Sequence, residues 1–84
     1  MSGKEMYRYI SVFERAGDAH VGDIHFSSPL SLQTLQSIFL VDADDSMYGD
    51  YPIDATIASQ LTPFVQEAFD FKRFEYFLSC DGLT

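Results

Sequence analysis

Strand-like runs lie near both ends of this chain, and helix-like runs lie between them. Residues 6–14 (MYRYISVFE) and 21–27 (VGDIHFS) are rich in aromatic and β-branched residues, and the intervening RAGDAH supplies turn chemistry. This pattern predicts an N-terminal β-hairpin. Near the other end, Phe74, Tyr76 and Leu78 alternate with mostly polar neighbours, which predicts a third strand.

Two segments between the strands have the spacing of amphipathic helices. The first follows Ser28 and Pro29, and these apolar residues share one face: Leu32, Leu35, Ile38 and Phe39. The second is predicted to begin after a capping Asp54 and to run through residue 69 with this stripe: Ile57, Leu61, Phe64, Val65, Ala68 and Phe69. Because Pro63 removes one backbone hydrogen bond, we expect a kink on the solvent side or a break near Thr62.

The order β-β-α-α-β predicts an α+β fold: a three-stranded, mainly antiparallel sheet with both helices packed on one face. The length of 84 residues allows one hydrophobic core and therefore a single domain over residues 1–84. We expect the last strand to pair beside the first. The other sheet face, which Tyr7, Tyr9 and Phe13 can occupy, is then open to solvent or to a partner, so a homodimer through this face is one alternative.

The charge of the chain is unevenly distributed. The net charge is −8, and residues 16–71 contain nine acidic residues but no Lys or Arg. Net charge bears on the choice of partner rather than on the fold. It favours a basic protein partner and disfavours direct binding to nucleic acid or to an anionic membrane surface.

We expect a cytoplasmic protein. No apolar run in the sequence approaches the roughly 20 residues that cross a membrane, and MSGKEMYRY has no hydrophobic signal core. Cys80 is the single cysteine, whereas small secreted domains commonly carry an even set for disulfides.

Residues 41–54 (VDADDSMYGDYPID) have neither helical nor strand periodicity and are predicted to form a loop, and loops of this length in a compact domain are commonly functional or mobile. The candidate partner-binding residues are its carboxylates and its large apolar side chains: Asp42, Asp44, Asp45, Met47, Tyr48, Asp50, Tyr51 and Asp54. The carboxylates would steer a basic partner, and the apolar side chains would anchor it. Alternatively, Tyr48, Tyr51 and Ile53 fold back onto the core.

Motifs for metal binding are incomplete. Asp42, Asp44 and Ser46 have the spacing that opens a calcium-binding EF-hand loop, but Met47 stands where that loop needs Gly and Ile53 where it needs Glu. We therefore expect no metal site here, although a nonstandard cation site formed by the loop carboxylates is an alternative.

The two histidines do not indicate a catalytic or metal site either. His20 and His25 are five residues apart, so a regular strand would point them to opposite faces. Asp23 and His25 would share a face and could form a surface ion pair. No glycine-rich phosphate loop, zinc-ligand spacing or nucleophile elbow occurs in the sequence. We expect a protein that is not an enzyme and has no cofactor.

Five stretches resemble small acidic immunity proteins of bacterial toxin systems, including contact-dependent inhibition and polymorphic toxin systems: YRYISVFE, VGDIHF, SLQTLQSIF, DDSMYGDYPID and FEYFL. The resemblance covers most of the chain in length, charge and element order. It implies a cytoplasmic protein that binds and neutralises a cognate toxin domain, often a nuclease with a basic substrate cleft. It also implies electrostatic and steric blockade, in which Asp42, Asp44, Asp45 and Asp50 replace substrate phosphates and the tyrosines add buried contact.

Overall fold

A computed structural model, which describes residues 5–83, shows a four-stranded antiparallel sheet and two short α-helices. The elements are β1 (Glu5–Glu14), β2 (His20–Ile24), α1 (Leu32–Phe39), β3 (Tyr51–Ile53), α2 (Ala55–Leu61) with a 3₁₀ turn (Thr62–Phe64), and β4 (Phe74–Leu83). The strand order is β2-β1-β4-β3, so the last strand pairs beside the first, as predicted. The α+β class and the antiparallel sheet are confirmed. None of the helices within residues 5–83 has the length and apolar character needed to cross a membrane.

The sheet has four strands, and the prediction of three is wrong. The additional strand, β3, lies inside the segment predicted to be a loop and pairs with β4 through Ile53 and Tyr76 and through Tyr51 and Leu78. Pro52 has no N–H to donate, which suits the edge position that β3 occupies. A strand of three residues with proline at its centre is too short to show alternation, so the sequence pattern did not reveal it.

The second helix is shorter than predicted. Asp54 caps α2 by accepting a hydrogen bond from the N–H of Ile57 at 2.8 Å, as expected. The helix ends at Leu61, near the expected break, and Val65 already has extended backbone after the 3₁₀ turn. The prediction of a helix through residue 69 is therefore wrong. Val65 is buried and Phe69 packs against the core all the same, because apolar spacing reports burial and not backbone conformation.

The core lies between the helices and one face of the sheet. Alternate residues of the two central strands point into it, with Ile10 and Val12 from β1 and Tyr76 and Leu78 from β4. The largest fully buried side chains come from both helices, from the sheet and from the segment between α1 and β3: Ile10, Leu35, Met47, Leu61 and Leu78. That segment therefore contributes to the hydrophobic core.

The opposite face of the sheet, which we call the outer face, carries aromatic side chains. Tyr7 and Tyr9 stack with ring centroids 5.7 Å apart, and Phe13 meets Phe77 edge to face at 5.8 Å. Tyr7 is 38% exposed. The expected location of these β1 aromatics on the face away from the core is confirmed.

A buried pair of serines lies between these aromatics. The hydroxyls of Ser11 and Ser79 are 2.7 Å apart, and both residues are buried. Removing one hydroxyl leaves the other buried without its hydrogen-bond partner. We therefore expect Ser11→Ala or Ser79→Ala to lower the free energy of unfolding by about 1–2 kcal/mol. The double variant should cost clearly less than the sum, and Ser28→Ala, at an exposed serine, should cost little. Urea unfolding of the four variants measures this, and additive costs would contradict the pairing.

An irregularity in the hairpin changes the placement of the histidines. Val12 pairs with Gly22, but Phe13 pairs with His20, so Val21 is an extra residue that shifts the register. His20 therefore packs on Phe13 on the outer face, with ring centroids 5.2 Å apart.

His25 also lies on the outer face, where its Nδ1 is hydrogen-bonded to the hydroxyl of Tyr7. The expectation that the two histidines point to opposite faces is wrong because of the bulge. Asp23 pairs with His20, at 2.8 Å, and not with His25.

Candidate functional site

The segment between α1 and β3 is held against the end of α1. We call residues 41–50 the acidic loop. Leu40 ends α1 with a left-handed backbone conformation, φ 57°, which turns the chain back along the helix. Gln36, which is buried, then donates its side-chain amide to the carbonyls of Ala43 and Asp45, at 3.1 and 2.7 Å. One helix residue thus fixes two points of the loop backbone.

Asp45 organises the second half of the acidic loop from inside. Its carboxylate accepts the backbone N–H of Met47 at 2.8 Å, and the hydroxyl of Tyr51 lies 2.9 and 2.8 Å from its two oxygens. The hydrogen bond to Asp45, together with burial, raises the pKa of Tyr51. Asp45 and Tyr51 are therefore engaged with each other and only half-exposed.

Met47 anchors the acidic loop in the core. Its side chain is fully buried, although its backbone has a φ of 54° that is uncommon for a residue with a long side chain. Arg8 adds a further attachment by donating from a guanidinium nitrogen to the carbonyl of Ser46 at 2.8 Å. The backbone immediately before Tyr48 is consequently pinned, and the chain is fixed again at Tyr51, where β3 begins.

The candidate partner-binding residues fall into two groups. Met47 is buried, and Asp45 and Tyr51 bind each other. For Tyr51 this agrees with the alternative prediction, in which the loop folds back onto the core. The other five are exposed: Asp42, Asp44, Tyr48, Asp50 and Asp54. Asp54 is committed to capping α2. Tyr48 is 62% exposed and lies in sequence between acidic residues on either side.

Leu40 is an exposed residue beside the acidic loop that sequence analysis did not single out. Its side chain is 90% exposed, and it immediately precedes the loop. The sequence did contain a sign of this exposure, because Leu40 directly follows Phe39 but falls outside the apolar stripe of α1. Leu40 thus places a large apolar side chain at the edge of the acidic loop, and Tyr48 places one within it.

No salt bridge neutralises the acidic loop within the part of the chain that the structure describes. The two pairs found there are Arg15 with Glu75 and His20 with Asp23, both outside the loop. Among residues 5–83, no group of three or more His, Cys, Asp or Glu side chains is arranged to hold a metal ion. Among the described residues the carboxylates of the acidic loop therefore form no ion pair, and Arg8 contacts the loop only at the backbone carbonyl of Ser46.

The hydrogen bond between Tyr51 and Asp45 predicts how the pKa of Tyr51 and the stability of the protein respond to substitution. Because the neutral phenol donates to the carboxylate, the bond stabilises the fold below the usual tyrosine pKa of about 10 and is lost as pH rises through the raised folded-state pKa. We expect Asp45→Asn to lower the pKa of Tyr51, measured by NMR of the tyrosine rings. We also expect Tyr51→Phe to lose less stability than wild type as the pH rises above about 10, with Tyr48→Phe as the control. An unchanged Tyr51 pKa in Asp45→Asn would contradict this geometry.

Comparison with known proteins places the chain in one family. Residues 7–79 match the family described as "Domain of unknown function (DUF7683)", and the chain belongs to it. A search of curated proteins and a search of solved structures found no match.

Proposed function

We propose that this member of the DUF7683 family is a non-enzymatic binding protein that neutralises a basic protein partner. The observation that supports the proposal most strongly is the acidic loop, which presents Asp42, Asp44 and Asp50 together with Tyr48 from a backbone pinned by buried contacts. The partner we propose is a cognate toxin domain with nuclease activity, which would make this chain an immunity protein.

The pinned backbone favours tight binding. A loop that is already ordered loses little conformational entropy when it meets a partner, so more of the contact energy appears as affinity. Gln36, Asp45 and Met47 supply this order, because each fixes the loop from its inner side. Their role in binding is therefore to position the exposed residues.

The exposed side chains have complementary tasks. Carboxylates steer a basic partner and accept paired hydrogen bonds from arginine. Tyr48 offers a large ring with a polar tip, which is the type of residue that often dominates binding energy at an interface. In a nuclease, Asp42, Asp44 and Asp50 would occupy the positions of substrate phosphates, and the body of the domain would block the cleft.

Affinity capture tests this function. The purified protein is immobilised, and lysate from cells of its native source is passed over it at low salt and eluted with a salt gradient. We expect one basic protein to be retained stoichiometrically and to show nuclease activity only after its release. Retention of no specific protein, or of one whose activity is the same free and bound, would contradict the proposal.

A second candidate function is self-association through the outer face. Tyr7, Tyr9 and Phe13 supply aromatic surface there, which would be buried if two sheets packed face to face. The net charge of −8 on each copy opposes this dimer. Sedimentation velocity over a wide concentration range tests it: a dimer that Tyr7→Ser dissociates would support this candidate, and a monomer throughout would exclude a stable dimer.

A further inference from the structure

The outer face of the sheet carries negative charge beside its aromatic side chains. Every second residue of β1 and β4 points to this face, and the register pairs these residues across the two strands. None of the outward positions that the structure describes there is Lys or Arg: Tyr7, Tyr9, Ser11, Phe13, Glu75, Phe77, Ser79 and Asp81. Glu75 is paired with Arg15, whereas Asp81 forms no salt bridge among the described residues. The end of the face that holds Asp81 therefore lacks a compensating cation among these strand residues.

Three rings form a cluster beside Asp81. Tyr7, Tyr9 and His25 have ring centroids 5.7 to 6.2 Å apart in each pair, with planes 23° to 38° apart. The hydroxyl of Tyr7 is also hydrogen-bonded to Nδ1 of His25. We call these three residues the ring cluster. Tyr7, His25 and Asp81 are exposed, so a ligand from solvent can reach them.

Asp81 lies against the ring cluster. It is the register partner of Tyr7 on the neighbouring strand, so the two side chains share the outer face. The pKa of Tyr9 is raised, first by burial and then by the charge of Asp81 and a hydrogen bond to it. A negative potential that opposes ionisation of a phenol also attracts a cation. Aromatic surface and an accessible carboxylate thus converge at one point.

We propose that the ring cluster and Asp81 bind an arginine side chain presented on an exposed segment of another protein. The guanidinium would donate paired hydrogen bonds to the carboxylate of Asp81 and lie against the rings of Tyr7 and Tyr9. Arginine suits this combination better than lysine, because its planar guanidinium forms both contacts at once, whereas an ammonium is a strongly hydrated point charge. Charge complementarity therefore selects the occupant.

This site is separate from the acidic loop. Met47 anchors the acidic loop in the core, which lies on the other side of the sheet from the ring cluster. A partner on the loop can therefore leave the ring cluster open, and the proposal rests on neither function proposed above. A dimer through the outer face, by contrast, would cover the ring cluster and prevent arginine from binding.

Titration with an acetylated and amidated Gly-Arg-Gly peptide, followed by two-dimensional NMR, tests the site. At about 0.15 M salt the attraction of the net charge of −8 for any cation is screened beyond roughly 8 Å, and at about pH 8 imidazole is neutral and does not repel the ligand. We expect saturable shifts at the rings of Tyr7 and Tyr9 and at the amide of Asp81. The same peptide with citrulline, which keeps the shape but not the charge, should bind at least about fivefold more weakly, and the lysine peptide about threefold more weakly.

Substitutions separate the contact with the carboxylate from the contact with the rings. Asp81→Asn should weaken binding of the arginine peptide about fivefold or more, whereas the matched change Asp42→Asn, on the acidic loop, should not. Tyr7→Leu should weaken binding about threefold or more, whereas Tyr7→Phe keeps the ring and most of the affinity. Shifts absent from the ring cluster, equal binding of the citrulline or lysine peptide, or unchanged binding in folded Asp81→Asn or Tyr7→Leu would overturn the proposal.

Discussion

Met47→Ala is expected to lower the free energy of unfolding by about 2–5 kcal/mol, a large part of the 5–15 kcal/mol typical of a domain. Met47 is fully buried although it lies in the acidic loop, so truncation removes apolar contact and leaves a cavity. Urea unfolding at neutral pH measures the change. Tyr48→Ala, at the exposed neighbour, is the control and should shift the unfolding free energy by no more than about 0.5 kcal/mol.

Met47→Gly gives a further check on the backbone. Glycine adopts a φ near 54° at little cost, whereas alanine retains the strain of the left-handed region, about 1 kcal/mol. Met47→Gly should therefore be no less stable than Met47→Ala, although it removes one more carbon. A cost for Met47→Ala below about 1 kcal/mol would show that the acidic loop is not anchored in the core.

Combined substitution of Asp42, Asp44 and Asp50 by Asn is expected to slow association with the captured basic protein by about 10- to 100-fold at low salt. The three carboxylates are exposed, so the change removes charge without removing core contacts. Stopped-flow or surface-based kinetics measure the association rate. The effect should shrink as salt is raised, because screening removes the same attraction.

The matched control changes the same number of charges elsewhere. Asp18→Asn, Glu67→Gln and Asp70→Asn alter exposed acidic residues outside the loop and give the same net charge. This variant should associate clearly faster than the loop variant. Equal slowing by the two variants would assign the effect to net charge alone and would remove the specific role of the acidic loop.

The fold was largely predictable where the sequence pattern is long. β1 and β4 carry extended runs of aromatic and β-branched residues, and α1 has a regular apolar stripe. The errors lie where local chemistry competes with periodicity. The apolar spacing continues past Pro63, but the helical backbone does not, and β3 contains a proline that sequence reasoning assigns to a loop.

The site was predictable in composition but not in orientation. The carboxylates and tyrosines of the acidic loop are evident from the sequence, yet the loop could have turned either tyrosine inward. Gln36 and Asp45 decide the matter. Gln36 binds backbone carbonyls seven and nine residues further along the chain, and Asp45 binds the N–H of Met47 and the hydroxyl of Tyr51, and no apolar periodicity reports these polar contacts. The burial of Met47 depends on a left-handed backbone conformation, which an isolated methionine in a sequence does not signal.

Hydroxyl-radical footprinting of the complex tests the central claim most directly, because one tyrosine marks each candidate surface. Tyr48 is 62% exposed on the acidic loop, and Tyr7 is 38% exposed on the outer face of the sheet. Mass spectrometry then gives the oxidation of each ring with and without the captured partner. The proposal predicts that Tyr48 is protected and Tyr7 is unchanged, whereas protection of Tyr7 with Tyr48 still oxidised at its free rate would contradict it and place the partner on the sheet.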